Sequence, residues 1–263
     1  MARNVLVTGS SHGIGAAIAE AFAAEGCNVG ITYCKTPEGA ETTAEACRKY
    51  GVDVKIFKVD LHVREQCVQL MAEFLDHFKT IDVLINNAGG ALKMPKGEFV
   101  DMPLDYWDSQ IALNLSAAAY CTQAAIRNMK EHGIKGRIVN ISSIHSKLSW
   151  VRRKMLPYAG AKAGLEGFTR SIATEVAKYG ICINCIAPGL VLTKIADRYS
   201  KRDLEGFQRK IACGFLGTPK DIVPAVLFLS DVEKSAYIVG QTLHIDGGMS
   251  VDGVIDCMLD DEF

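Results

Sequence analysis

The sequence predicts an α/β protein built on one doubly wound parallel sheet of about seven strands, with helices on both faces. Three observations carry this. Short apolar runs alternate with longer runs of helical periodicity along nearly the whole chain, the pattern that parallel sheets with right-handed crossovers require. The apolar runs are continuous, as in strands buried on both faces. A glycine-rich loop joins the first apolar run straight to the first helical one, and in such sheets ligands bind beyond the carboxyl ends of the strands.

The elements follow in order. Residues 5–8, Val-Leu-Val-Thr, read as the first strand. The next helix carries Ile14, Ile18 and Phe22 on one face. Strands follow at 28–33, 54–59, 83–86, 137–141, 181–187 and 242–245, each a short β-branched or aliphatic run. The helix before the sixth strand shows a second apolar stripe, Leu165, Phe168, Ile172 and Val176. Thr218-Pro219-Lys220-Asp221 marks a helix start, with Thr as N-cap, Pro at the first position and an acid at the third. No repeat, low-complexity tract or linker divides the chain. One domain is therefore expected over 1–263, with parts at 1–142 and 143–250 and an extension at 251–263.

Bulk properties exclude several classes. The 263 residues are 49% hydrophobic and carry a formal net charge of −1, which supplies a core and points to neither nucleic acid nor a membrane surface. The basic cluster Arg152-Arg153-Lys154 is too short for a nucleic-acid footprint; it reads as a solvated turn or as a contact for an anionic substrate. The amino-terminal apolar run is too short for a signal peptide, and no stretch approaches the ~20 apolar residues of a membrane span. A cytoplasmic protein acting on a small molecule is expected. The nine cysteines are scattered and odd in number. Cys182 and Cys185 form a Cys-x-x-Cys, but within a strand their thiols point to opposite faces, and no second pair completes a zinc site. No metal site is expected.

Tyr158 and Lys162 stand four residues apart in Pro157-Tyr158-Ala159-Gly160-Ala161-Lys162, at the start of a helical pattern. That spacing puts a phenol and an ammonium on one helix face. A cation within about 4–6 Å lowers a tyrosine pKa, ordinarily about 10, by roughly 1–3 units. Pro157 suits the first helical turn, so the helix dipole pushes the same way. This is how a general acid/base poised near neutral pH is built. The same helix bears small residues at Gly160, Ala163, Gly164, Gly167 and Ser171. They indicate close approach by this chain's own sheet or by a second subunit.

The loop Thr8-Gly9-Ser10-Ser11-His12-Gly13-Ile14-Gly15 spaces its glycines as Gly-x3-Gly-x-Gly. Glycines permit a tight turn and let backbone N–H groups reach a pyrophosphate, with the helix N-terminus adding a favourable dipole. Gly9, Ser11, His12, Gly13, Ile14 and Gly15 are the candidate contacts. NAD-binding chains commonly place an acid at the end of the second strand. Here that region reads Tyr33-Cys34-Lys35, with no acid before Glu38. Tyr33 and Lys35 are candidate contacts there, and Lys35, with His12, is placed to meet a 2′-phosphate. NADP(H) is therefore favoured over NAD(H), although Lys35 also reads as an ordinary solvated lysine.

Further motifs align in order: Asp60-Leu61 after the third strand, Asn86-Asn87-Ala88-Gly89 after the fourth, and Asn114 in a helical run. Ser142-Ser143 closes the fifth strand, Pro188-Gly189 follows the sixth, and Thr242-Leu243-His244-Ile245-Asp246-Gly247-Gly248 closes the sheet. From residue 3 to about 250 the chain resembles the short-chain dehydrogenase/reductase family. The resemblance implies a Rossmann-type fold and a nicotinamide-dependent oxidoreductase. It implies that Ser143, with Ser142 as its rival, polarises the substrate carbonyl and that Tyr158 gives or takes the proton. Lys162 would tune Tyr158 and hold the nicotinamide ribose, while Asn114 anchors a water that passes protons towards Lys162. It further implies adenine contacts from Asp60 and Leu61, ribose contacts from Asn87, Ala88 and Gly89, and nicotinamide and phosphate contacts from Pro188, Gly189, Val191 and Thr193.

The Ser-Ser-x-His start with a following Trp150 resembles glucose- and polyol-type dehydrogenases, and sugar or polyol, steroid and 3-oxoacyl substrates are expected in that order. The segment 144–157 is long for the family, 193–213 reads as a lid, and the acidic stretch 252–262 reads as an extension. A homo-oligomer, tetramer or dimer, is expected. The alternative from another class is a non-catalytic NAD(P)-sensing binding protein, which has no need of an intact Ser143, Tyr158 and Lys162 set.

Overall fold

A computed structural model of the chain describes residues 2–91, 98–148, 155–194 and 199–251. Arg152-Arg153-Lys154, Trp150, the acidic stretch 252–262 and positions 195–198 of the expected lid lie outside the described residues.

The chain runs β1 (Asn4–Val7), α1 (Gly13–Ala24), β2 (Asn28–Tyr33), α2 (Pro37–Arg48), β3 (Val54–Lys58), α3 (Arg64–Phe78) and β4 (Val83–Asn86). It continues through α4 (Leu104–Ile111), α5 (Ala117–Glu131), β5 (Arg137–Ile141), α6 (Leu156–Val176), β6 (Cys182–Pro188), α7 (Lys201–Gln208), α8 (Pro219–Ser230) and β7 (Thr242–Ile245). The seven strands form one sheet in the order β3-β2-β1-β4-β5-β6-β7, every pair parallel. The order reverses between β1 and β4, where Val5, Leu6 and Val7 pair Val83, Leu84 and Ile85. This is the switch point at which a doubly wound sheet opens a crevice.

Alternate strand residues feed two cores. Val5, Val7, Val83 and Ile85 pack with Ile18, Phe22, Ile222 and Val226 from α1 and α8. Leu6 and Leu84 face the other way, onto Phe74, Cys121, Met129 and Val176 from α3, α5 and α6. Both faces are thus covered, which explains the continuous apolar runs. Cys182 and Cys185 are buried in β6, with Sγ atoms against Ala236 O and Thr169 Oγ1 respectively.

The boundaries of three strands differ slightly from expectation. β1 begins at Asn4, which pairs with Asn28 and accepts from the Asn28 side chain at 3.0 Å, so a polar pair extends the ladder where the apolar pattern stops. Thr8 and Val59 leave their ladders, whereas Pro188 closes β6 opposite Ile245, at a strand end where its missing N–H is tolerated. Thr218 and Asp221 form the expected capping box of α8, and Pro157 stands in the first turn of α6. Between α4 and α5 the helix widens into a π-helical turn, Ala112–Ser116. Among the described residues no helix is long and apolar enough to cross a membrane.

Candidate active site

The carboxyl ends of β1, β4, β5 and β6 converge on one rim, and the glycine loop crosses it. Gly9 and Gly13 both have left-handed backbone, with φ of +64° and +63°. A Cβ on Gly9 would lie 2.8 Å from Ala88 Cα, and one on Gly15 would strike Gly9 O and the Asn87 side chain. Glycine is therefore required sterically at both ends of the loop. Thr32 Oγ1 accepts from Gly9 N at 2.8 Å, and Ser10 Oγ accepts from Thr32 N at 2.9 Å, which ties the loop to β2. Thr8 Oγ1 accepts from Asn87 N and Ala88 N, both at 3.0 Å, and Asn87 Nδ2 donates to Thr8 O at 2.9 Å. No side chain caps the N-terminus of α1, so its dipole and first donors face the crevice. These features fit the pyrophosphate of a dinucleotide.

Around that loop, Thr193 lies 3.2 Å from where a Gly13 Cβ would sit. Ser11 Oγ bonds His12 Nδ1 at 2.9 Å. Burial lowers the His12 pKa, and the charge of Lys194 lowers it further. His12 is thus neutral near pH 7, a weaker partner for a phosphate than its sequence position suggests. Lys194, which sequence reasoning passed over, is a cation of the same neighbourhood. Lys35 is exposed and lines an open cleft of about 500 Å³ with His62, Asp108, Ser109 and Ala112. Asp60 accepts from His62 N at 3.0 Å and bonds His62 Nδ1 at 2.8 Å. Leu61 is buried. Gly189 packs closely on Asp246, such that a Cβ on this glycine would lie 2.8 Å from Asp246 Cα, and Val191 bridges to Gly217.

Tyr158 sits in the first turn of α6 and Lys162 one turn further on. The Lys162 Nζ lies 5.8 Å from the centroid of the Tyr158 ring. The Ser143 side chain stands close enough to the Tyr158 phenol to act on its pKa, and its Oγ accepts from His145 N at 3.2 Å. Ser142 turns the other way, its hydroxyl 2.9 Å from Glu166 Oε1 and 3.2 Å from Lys162 O. Asn114 is 1% exposed in the π-helical turn, a local widening that often marks functional positions. Its Oδ1 accepts from Gly90 N at 2.8 Å, and its Nδ2 donates to Gln110 O at 3.0 Å. A Cβ on Gly89 would stand 2.7 Å from Asn114 Oδ1 and 3.0 Å from Lys162 Nζ, so this glycine is wedged between the two.

The electrostatics correct one expectation. Lys162 is not among the groups that shift the Tyr158 pKa here: burial raises it, Ser143 opposes the rise, and Tyr199 adds to it. The Lys162 ammonium is itself buried, 3% exposed, and donates to Ile141 O at 2.7 Å. Burial pulls the Lys162 pKa down to about 8. His145 packs edge-on to Tyr158, ring centroids 6.1 Å apart, with its pKa lowered by burial. The small-residue stripe of α6 is met in part by the chain itself, since a Cβ on Gly164 would stand 3.0 Å from Leu115. Among the described residues no cluster of metal-ligating side chains occurs.

A parallel sheet with a glycine loop at its switch point, and a Ser-Tyr-Lys group at the same rim, defines a dinucleotide-dependent oxidoreductase fold. A family profile described as Enoyl-(Acyl carrier protein) reductase matches residues 9–250. Glucose 1-dehydrogenase 2 of Bacillus subtilis (strain 168) is 34% identical over 252 residues, covering 95% of each chain. A 3-oxoacyl-[acyl-carrier-protein] reductase of Staphylococcus aureus (strain Mu50) is 34% identical over 249 residues, 95% of this chain and 98% of the relative. The solved structure of a short-chain dehydrogenase/reductase from Serratia marcescens BCRC 10948 superposes with a TM-score of 0.86 at 30% identity, covering 94% of this chain and 98% of the other. The chain belongs to the short-chain dehydrogenase/reductase family and is an NAD(P)-dependent dehydrogenase or reductase acting on CH–OH groups.

Proposed function

We propose that this protein is an NADP(H)-dependent oxidoreductase that interconverts a carbonyl and a secondary alcohol, with Ser143, Tyr158, Lys162 and Asn114 as its catalytic set. The observation that carries this reading is the Ser143 side chain beside the Tyr158 phenol, with Lys162 Nζ 5.8 Å from the centroid of the same ring. Reduction of a carbonyl places negative charge on its oxygen, which needs a donor where that charge develops and a proton source beside it. The Ser143 hydroxyl serves as the donor and the Tyr158 phenol gives the proton. A phenol held above its ordinary pKa by burial stays protonated and ready to donate at neutral pH. Lys162 would hold the nicotinamide ribose, and Asn114, whose Oδ1 stands on the side of Lys162 Nζ, would anchor a water that passes protons towards Lys162.

When bound, the nicotinamide dinucleotide supplies or accepts the hydride. Gly9, Ser11, His12, Gly13, Ile14 and Gly15 hold its phosphates, Tyr33 and Lys35 the 2′-phosphate end, and Asp60 and Leu61 the adenine. Asn87, Ala88 and Gly89 line the ribose, with Pro188, Gly189, Val191 and Thr193 at the nicotinamide end. The preference for NADP(H) rests on Lys35 and on the absence of an acid at the end of β2. A sugar or polyol is the favoured substrate, followed by a steroid and a 3-oxoacyl thioester; one relative is named for glucose and another for a 3-oxoacyl carrier protein. The same reading takes residues 1–142 as the dinucleotide-binding part, 143–250 as the catalytic part and 251–263 as an extension, in a cytoplasmic homotetramer or dimer.

The test is a panel of sugars, polyols, steroids and acyl thioesters, followed by nicotinamide absorbance with both NADPH and NADH and their oxidised forms. Turnover with NADP(H) on a sugar or polyol supports the reading. Turnover confined to NAD(H) removes the cofactor assignment, and turnover confined to acyl thioesters removes the substrate assignment.

A further inference from the structure

Gln110 is an anomaly in the last turn of α4. It is fully buried, with 0% of its surface exposed, and is the only buried residue of that helix. Its side chain meets the Asn114 carboxamide: Asn114 Nδ2 lies 3.4 Å from Gln110 Oε1. Among the described residues, Gln110 Nε2 is buried with no hydrogen-bond partner. An unpaired buried amide N–H costs free energy, and an aliphatic side chain of similar length would remove that cost. Packing alone therefore gives no reason for glutamine here.

The direction of the hydrogen bonds supplies one. Gly90 N can only donate, so the Asn114 oxygen must face it, at 2.8 Å. The Asn114 Nδ2 is thereby turned towards Gln110 O at 3.0 Å, Gly90 O at 3.3 Å and Gln110 Oε1 at 3.4 Å, so its two N–H groups are shared among three acceptors. Gln110 Oε1 is the acceptor supplied by a side chain. Turned over, the Gln110 carboxamide would set one NH2 group against another, so this pair has one satisfactory orientation. The acceptor that secures Asn114 leaves the Gln110 donor turned away from it. Asn114 Oδ1 is in turn held on the side of Gly89 and Lys162, both close to the same point.

We propose that Gln110 is a positioning residue for the reaction: by accepting from Asn114 Nδ2 it holds the Asn114 carboxamide in the orientation that connects to Lys162. This rests on the catalytic reading of Asn114 and Lys162 given above. The role differs from that of a core residue, because its effect passes entirely through Asn114.

The test is a double-mutant cycle on the full-length protein with the best substrate of the panel. Gln110→Met keeps length and removes both polar atoms. Expected is a kcat about five- to tenfold lower, the size of one neutral hydrogen bond, with cofactor affinity unchanged and a Tm equal to or above that of the wild type. The profile of kcat against pH should shift as it does in Asn114→Ala. In the Asn114→Ala background, Gln110→Met should change kcat by less than about twofold. An unchanged kcat and pH profile in Gln110→Met overturns the inference, as does a Gln110→Met loss that multiplies with that of Asn114→Ala. A lowered Tm with a parallel loss of cofactor affinity assigns Gln110 to packing and overturns it as well. Tyr158→Phe, run alongside, separates the two claims: if it retains full turnover the catalytic reading fails, whereas if it is inactive while Gln110→Met is normal only the present inference fails.

Discussion

Burial of Lys162 has a thermodynamic consequence that can be measured without any substrate. The residue is 3% exposed, and burial lowers its pKa from 10.5 to about 8. At about 1.4 kcal/mol per pKa unit, carrying the charge costs the folded, cofactor-free protein roughly 3 kcal/mol. The folded pKa lies below the unfolded one, so between about pH 8 and 10.5 the unfolded chain binds more protons. Stability from this group therefore rises with pH across that window: the penalty is fully present below 8 and gone above 10.5. Lys162→Met removes the titration and keeps an unbranched side chain. In urea unfolding of the cofactor-free protein, the stability of wild type minus that of Lys162→Met should climb by roughly 3 kcal/mol from below pH 8 to pH 10.5. Subtracting the variant cancels groups that titrate independently, such as Cys47, whose thiol burial pushes up to about 12; Cys185 feels the charge of Lys162, so its titration above that window is left out of the comparison. A difference that stays flat or falls with pH would refute the claim that Lys162 is a charge held in the interior.

Two further outcomes are expected. Gly89→Ala puts a methyl 2.7 Å from Asn114 Oδ1 and 3.0 Å from Lys162 Nζ, so one of them must move. kcat should fall about 10- to 100-fold, while the exposed, unstrained backbone at Gly89 leaves Tm within a few degrees; wild-type kcat would mean the wedge does not matter. NADPH should raise Tm more than NADH at equal concentration, and Lys35→Ala should narrow that gap. Equal protection by the two cofactors in wild type would remove Lys35 from the argument.

The fold was legible because the central strands are covered on both faces. Burial forces continuous apolar runs such as Val83-Leu84-Ile85, and the seven runs stand out against helical spacing in between. Boundaries slipped where polar chemistry or a proline decides the ladder, as at Asn4 and Pro188, and by one apolar residue at Val59 and Ile181. The rim of the site was equally legible, since Gly9, Gly13, Tyr158 and Lys162 are set by local spacing and turn chemistry. What escaped depends on contacts distant in sequence. Lys194 reaches His12 only because the segment after β6 returns to the glycine loop, where Thr193 packs beside Gly13. Burial of Tyr158, which raises its pKa, outweighs the electrostatic argument drawn from Tyr158-x3-Lys162 alone. Gln110 reads in sequence as one more polar residue of a surface helix, and the π-helical turn that carries Asn114 has no signature in the spacing. His145 was in view within Ser-Ser-x-His, but its edge-on packing against Tyr158 required the turn after β5.

The central claim is that the Tyr158 hydroxyl transfers the proton. Its most direct test compares Tyr158→Phe with wild type, measuring turnover and NADPH affinity on the same preparations. The account predicts turnover lower by about 10²- to 10⁴-fold, the usual worth of a positioned acid/base, with NADPH bound as tightly as before. Full turnover in the phenylalanine variant would contradict it.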